Sequence, residues 1–195
     1  MLRRPIFVIL GIVFILFVFG WIIFSIDWGG STSQEERIEK EVKISELADT
    51  DASVRLQMNG AINSNKEHRQ IWITVNNQFA SIDVLRGYEG DVLKSKTFSN
   101  NTDSFTKFLA ALEDSNFDKT RDYRGGQTEI GACPLGKRYI FEAFEPGAEE
   151  QIKHSWTTSC SNKIGTFDGK LNTTIRLFQS QIPDYNKFVS DIRLN

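Results

Sequence analysis

The sequence predicts an α+β fold in which an N-terminal transmembrane helix precedes a domain built on an antiparallel sheet. Three observations lead to this class. An uncharged apolar segment stands near the N-terminus, apolar and polar residues alternate in later stretches, and two further stretches show helical periodicity. After the membrane helix, the predicted order is a four-strand meander, a helix, a two-strand hairpin and a final helix.

The predicted transmembrane helix covers residues 5–26, which carry no charge. At about 1.5 Å per residue it reaches roughly 33 Å, enough to cross a hydrocarbon core of about 30 Å. Arg3 and Arg4 precede it and Asp27 follows it, so the positive-inside rule predicts a single-pass protein with a cytoplasmic N-terminus. A cleaved signal peptide is the alternative, but such signals have a shorter apolar region that ends in small residues.

The predicted domain organisation follows from this anchor. Residues 1–4 form a cytoplasmic tip, residues 27–52 a linker or stalk, and residues 53–195 an extracytoplasmic domain. The stalk opens with the spacer WGGSTSQ, and glycine- and serine-rich segments of this kind are flexible. Acid-first i,i+4 charge pairs are compatible with a juxtamembrane helix over 33–43. We favour a solvated stalk, because only Ile38 and Val42 supply an apolar stripe.

Strict alternation predicts the meander between residues 53 and 98, since a period of two is typical of half-buried antiparallel strands. Turns are expected at 76–78 and 88–91, where asparagine, glycine and acidic residues occur. The side chains predicted to face the core are Val54, Leu56, Met58, Ile71, Ile73, Val75, Ala80, Ile82 and Val84.

The helical stretches have caps and apolar stripes. Asn101 or Thr102 offers an N-cap to the first helix, and Asn172 offers one to the second. Pro183 ends the second helix, and a short helix over 184–190 completes the chain. The apolar stripes consist of Phe105, Phe108, Leu109 and Leu112, and of Leu171, Ile175, Phe178 and Ile182.

Two cysteines, Cys133 and Cys160, flank the hairpin that is predicted at 137–144 and about 150–158. The predicted topology places both thiols outside the cytoplasm, where paired cysteines oxidise. We predict one structural disulfide, which stabilises the fold by about 3–4 kcal/mol through its 28-residue loop. A redox pair is the weaker interpretation, because the C-x-x-C spacing is lacking.

Charge and motifs exclude several functions. Residues 28–195 hold 21 basic and 24 acidic side chains, a net charge of −3 that disfavours nucleic acid as a partner. His68 and His154 lack metal-ligand spacing, and no phosphate loop or nucleophile elbow is present. The sequence thus assigns no catalytic, cofactor-binding or metal-binding residue. The carboxylates that remain as acid or base candidates are Glu129, Glu142 and Asp168.

Arginines and large aromatic residues recur on the predicted strands, and these residue types are enriched where proteins bind protein or glycan partners. The polar, glycine-bearing loop at 118–131 is a second candidate surface. Packing of the rings in the core, with arginine stems across it, explains the same pattern without a ligand. The candidate binding surface consists of Arg69, Trp72, Arg86, Tyr88, Arg138 and Tyr139.

Several strings in the chain resemble a group of single-pass, membrane-anchored proteins from Saccharibacteria and related bacteria of reduced genome. The likeness covers about residues 53–195 and implies a bacterial domain that faces outward from the membrane. It carries over no functional residue. The strings are GACPLGKRYIFE at 131–142 and WTTSC at 156–160, which are the most specific, with VRLQMNG at 54–60, EHR at 67–69, VLRGY at 84–88, FLAAL at 108–112 and QIPDY at 181–185.

The sequence therefore favours a non-enzymatic, membrane-anchored module in the cell envelope that binds a ligand or a partner protein. An inhibitor that blocks a foreign enzyme with the 118–131 loop is one alternative. A cell-wall hydrolase that uses carboxylates around 125–145 is the other.

Overall fold

A computed structural model of the chain describes residues 43–48, 50–126, 128–145 and 151–194. The described residues all belong to one compact unit, Glu41–Asn195. The predicted transmembrane helix lies outside the described ranges, as does all but the last residue of the segment 33–43, where we favour a stalk over a helix. Within those ranges, no helix is both long enough and apolar enough to span a membrane.

This unit is an α+β domain, as predicted. Its described residues form a short 3-10 helix, Ile44–Leu47, followed by six strands and three α-helices. In chain order these are β1 Ser53–Asn59, β2 Arg69–Val75, β3 Phe79–Arg86, β4 Asp91–Ser99, α1 Thr102–Asp114, β5 Arg138–Phe144, β6 Gln151–Thr158, α2 Leu171–Ser180 and α3 Tyr185–Phe188.

All six strands form one antiparallel sheet in the order β4-β3-β2-β1-β5-β6. The sequence predicts the four-strand meander and the two-strand hairpin without saying how they pair, and the structure joins them in this one sheet. Strand β5 pairs with β1 over its whole length, from Ser53 opposite Phe144 to Asn59 opposite Arg138. A lone hairpin is marginally stable in water, and this pairing gives β5 a neighbour on each side.

The core lies between one face of the sheet and helices α1 and α2, and we call this side of the sheet the helix face. Every residue of the predicted first apolar stripe is buried, and Asn101 caps α1 by accepting a hydrogen bond from the Ser104 amide. Alternation along β1 to β3 is confirmed as well. The buried residues on the helix face are Val54, Leu56, Met58, Ile71, Ile73, Val75, Ala80, Ile82, Val84, Phe141 and Ala143.

The predicted stalk, residues 27–52, includes residues that belong to the folded domain. Ile44, Leu47, Ala48 and Ala52 are buried in the core, and the 3-10 helix packs against α1. The domain thus begins before residue 53. The alternation that marks the strands does not extend to Ile44 and Leu47, which are spaced three apart as on a helix.

The end of the chain follows the prediction except at one cap. Residue Lys170 occupies the N-cap of α2 without a side-chain cap bond, and the predicted cap Asn172 lies within the first turn. Helix α2 ends at Ser180, before Pro183, and α3 falls inside the predicted range 184–190.

The predicted disulfide between Cys133 and Cys160 is confirmed, with the two Cα atoms 5.8 Å apart. The bond joins the segment that enters β5 to the segment that leaves β6. It therefore closes one end of the β5–β6 hairpin, the end where Arg138 pairs with Thr158.

Candidate functional site

The six residues of the predicted binding surface lie in three places. Arg69, Arg86, Tyr88 and Arg138 lie at or next to strand ends on the disulfide side of the sheet, because Arg69 pairs with Arg86 and Asn59 with Arg138. Tyr139 packs against the core on the helix face, and Trp72 lies on the opposite face. The structure therefore does not gather all six into one surface.

Two of these arginines, Arg69 and Arg138, donate hydrogen bonds to nearby backbone carbonyls. Arg138 is only 5% exposed and donates a hydrogen bond to the Gly60 carbonyl. Burial lowers the pKa of this guanidinium. Arg69 donates to the carbonyls of Lys66 and His68 at 2.7 and 2.9 Å. These contacts fix the connection between β1 and β2.

His68 is buried, and its ring stacks on Tyr88 with a centroid separation of 4.2 Å. Its Nδ1 lies 3.0 Å from the Ala61 carbonyl, which can only accept, so Nδ1 carries the proton. Burial lowers the pKa of His68, and the positive charges of Arg138 and Arg69 lower it further. The imidazole is therefore neutral at pH 7 and serves as a structural donor.

We expect the free energy of unfolding to fall as the pH drops below about 6.5, because the unfolded chain then binds a proton at His68 that the folded protein disfavours. His68 lowers the free energy of unfolding by at most about 1.4 kcal/mol for each pH unit. Urea unfolding at pH 7.5, 6.5 and 5.5 measures this slope. A His68→Gln variant should have a flatter slope, and an unchanged slope would contradict this account.

The face of the sheet opposite the helix face, which we call the open face, holds a cluster that combines charge with aromatic rings. The Arg55 guanidinium lies between two rings, 5.3 Å from the centroid of Trp72 and 4.7 Å from that of Phe144. Both rings are partly exposed. Arg55 also donates from Nε to the Thr74 hydroxyl at 3.2 Å, so its position is fixed from three sides.

Below Arg55, Glu142 is a buried carboxylate whose side chain is 4% exposed. Its Oε2 accepts a hydrogen bond from Gln57 at 2.7 Å, and its Oε1 accepts one from Gln151 at 2.5 Å. Arg55 Nη1 and His154 Nδ1 each lie 3.8 Å from one of these oxygens. The carboxylate is thus held by two amides and flanked by one cation and one imidazole.

Pairing of β1 with β2 and β5, and of β5 with β6, assembles this open-face cluster. Arg55 stands opposite Thr74 on one side and Glu142 on the other, and Glu142 stands opposite His154. Adjacent strands lie about 4.8 Å apart, so these side chains meet without any rearrangement. The cluster consists of Arg55, Gln57, Trp72, Glu142, Phe144, Gln151 and His154.

Part of the 118–131 segment is fastened beside the same face. Tyr123 packs edge-on against Trp156, with ring centroids 5.4 Å apart, and Thr120 forms a bridge with Phe167. Arg121 donates to Asp168 Oδ1 at 3.0 Å and to three backbone carbonyls of the 162–167 segment. This half of the predicted surface loop is therefore held against β6 and its following loop.

A cavity of about 330 Å³ lies next to these contacts, at the start of α2. Its lining includes Arg121, Thr157, Lys170 and a single carboxylate among the described residues, Asp168. Asp168 is paired with Arg121, whose four hydrogen bonds leave little capacity for a ligand. Among the described residues, the cavity walls thus lack the carboxylate pair that most glycoside hydrolases use.

The three candidate carboxylates lie apart from one another, and of the two histidines only His154 lies near one of them, Glu142. Glu142 belongs to the open-face cluster, Asp168 pairs with Arg121, and Glu129 lies in the loop before the disulfide. His68 and His154 contact different groups. Among the described residues, no three histidine, cysteine or acidic side chains are grouped so that they could hold a metal ion.

No protein-family model matches this sequence, and no curated protein matches it significantly. We therefore derive the function from the chemistry of the open-face cluster and of the loops around it.

Proposed function

We propose that the protein is a membrane-anchored binding module that presents the open-face cluster outside the cytoplasm. The uncharged segment at 5–26, with Arg3 and Arg4 before it, supports the anchor and its orientation. The resemblance to membrane-anchored proteins of Saccharibacteria and related bacteria supports an envelope location. The observation that carries the proposal is the Arg55 guanidinium held between Trp72 and Phe144 above the buried Glu142.

A stabilising role alone explains this cluster poorly. Replacing buried ion pairs by apolar side chains is often neutral or stabilising, so a buried carboxylate such as Glu142 is weak evidence for stability. Trp72 and Phe144 stay partly exposed instead of covering the cluster. Rigid rings and a fixed guanidinium lose little conformational entropy on binding, and Trp and Arg are enriched among residues that dominate binding energy.

A specific observation favours the inhibitor as a second candidate. Ile130 and Leu135 are 83% and 89% exposed, and they flank Cys133 of the disulfide. Leu135 lies in a tight turn in which the Gly136 amide donates to the Cys133 carbonyl at 3.0 Å. A fastened loop with exposed apolar side chains suits insertion into the cleft of a partner protein.

Photo-crosslinking on bacterial cells that express the full chain tests the proposal. A photo-reactive amino acid replaces Thr97, an exposed residue of β4 that lies on the open face in line with Arg55 and Thr74 across the strands. In the control, the same amino acid replaces Lys107, which is exposed on the outer side of α1. We expect an adduct from position 97 that Trp72→Ala reduces at least tenfold, and none from position 107. Protease added to spheroplasts should digest the adduct, since the domain lies outside the membrane.

Three outcomes contradict the main proposal. Adducts of equal yield at positions 97 and 107 would show non-specific contact, and an adduct that Trp72→Ala leaves unchanged would place the ligand elsewhere. An adduct formed only when the reactive group replaces Leu135 would favour the inhibitor.

A further inference from the structure

We infer that the ligand of the open-face cluster is a neutral, hydroxyl-rich glycan chain. This inference rests on the proposed function and names the chemical class of its ligand. Four features of the open face support it: the aromatic rings, the hydrogen-bonding groups around them, the balance of charge and the length of the open-face cluster across the strands.

The rings offer a surface on which sugars can stack. A pyranose ring presents a face of C–H groups that packs on an aromatic ring, where burial of apolar area and the negative π face both favour contact. The indole N–H of Trp72 is already bound to the Gln70 side chain at 3.1 Å. Its ring plane is therefore oriented by the protein before any ligand arrives.

Around the rings, the polar groups suit hydroxyls. Gln57 and Gln151 each commit an amide N–H to Glu142, which leaves their carbonyl oxygens as acceptors. Ser95 and Thr97 bring exposed hydroxyls on β4, and Ser95 donates to Asp83 at 2.5 Å. A sugar hydroxyl both donates and accepts, so it matches this mixture better than a peptide carbonyl or a phosphate does.

The charges on the open face exclude a polyanion. Arg55 already faces Glu142, and the Asp83 carboxylate lies beside Trp72 across the β2–β3 pair. A polyanionic chain needs several unpaired cations along its path, as nucleic-acid sites show. A neutral chain meets no such requirement and leaves the pairing of Arg55 with Glu142 intact.

The open-face cluster is long enough to contact several sugar units. It extends across the sheet from Trp72 on β2 to His154 on β6, which is three strand spacings or about 14 Å. A single monosaccharide would contact one ring only. A chain of three or more units reaches both rings and the amides between them.

Isothermal titration calorimetry on the full chain tests this inference. The protein is held in a zwitterionic detergent without a sugar headgroup, since alkyl maltosides would compete for the site. The probes are β-1,4-linked hexamers of N-acetylglucosamine, glucose and mannose, with a galacturonate hexamer as the anionic counterpart. We expect at least one neutral hexamer to bind and the galacturonate hexamer neither to bind nor to compete.

Variants locate the site. Trp72→Ala should weaken binding at least tenfold, whereas Trp72→Phe keeps a ring and should weaken it no more than about threefold. Lys107→Ala, on the outer side of α1, should leave the affinity unchanged. Far-UV circular dichroism confirms that each variant is folded. If Trp72→Ala is not, Phe144→Ala, which removes the second ring beside Arg55, carries the comparison with the same expected loss.

Failure of the glycan inference is distinguishable from failure of the proposed function. If no neutral hexamer binds while position 97 still gives a Trp72-dependent adduct, the open face binds a ligand of another class. Binding that is insensitive to both Trp72 variants, or a preference for galacturonate, overturns the glycan inference as well. If neither hexamer binding nor a Trp72-dependent adduct is seen, both proposals are wrong.

Discussion

Replacing Phe141 by alanine is expected to lower the free energy of unfolding by about 3–5 kcal/mol, the range for a large aromatic side chain truncated in a core. Phe141 is fully buried on the helix face of β5. It stacks on Phe167 at a centroid distance of 4.2 Å and meets Phe117 edge-on at 5.9 Å. Both β1 and β6 hold the backbone of β5, so the sheet cannot close around the cavity that alanine leaves.

Urea unfolding followed by circular dichroism measures this loss. Phe98→Ala provides a matched control, because Phe98 is only partly buried on the edge strand β4 and lies under the Lys96 ammonium. We expect that control to cost about 1 kcal/mol, near the centre of the range for single substitutions. Equal losses in the two variants would show that the ring cluster around Phe141 is not a centre of the core.

Local patterns in the sequence predict most elements of this fold. Alternation identifies the buried residues of β1 to β3, because a half-buried strand exposes every second side chain. The i, i+3, i+4, i+7 spacing identifies the buried stripe of α1 for a similar reason. Both patterns report which side of an element is buried, and neither reports which element lies next to it. The pairing of β5 with β1 therefore had to come from the structure.

The open-face cluster also depends on which strands are neighbours, and local sequence patterns do not report this. The sequence predicts Trp72 as a binding residue, whereas it offers Glu142 only as an acid or base candidate and gives His154 no metal-ligand spacing. Arg55 and Phe144 come together because β1 pairs with β5, across 89 positions of the chain. The alternation in β1 could have indicated part of this cluster, because it places the polar residues Arg55 and Gln57 together on the face that points away from the core.

Removal of the disulfide by the double substitution Cys133→Ser and Cys160→Ser is expected to lower the free energy of unfolding by about 3–4 kcal/mol. The chain-entropy model gives this value for a 28-residue loop, because the cross-link restricts the unfolded chain. Urea unfolding of the oxidised protein and of the variant measures the difference. A reductant provides the control, since wild type and variant should then unfold at nearly the same urea concentration.

The position of the disulfide separates this loss of stability from loss of binding. The bond closes the hairpin at the pair Arg138 and Thr158, whereas Glu142 and His154 pair four residues farther along β5 and β6. Continuous pairing of β5 with β1 also holds the cluster without the cross-link. The serine variant should therefore keep its Trp72-dependent adduct at position 97 well below its unfolding temperature. Loss of that adduct in the folded variant would show that the disulfide positions the open-face cluster directly.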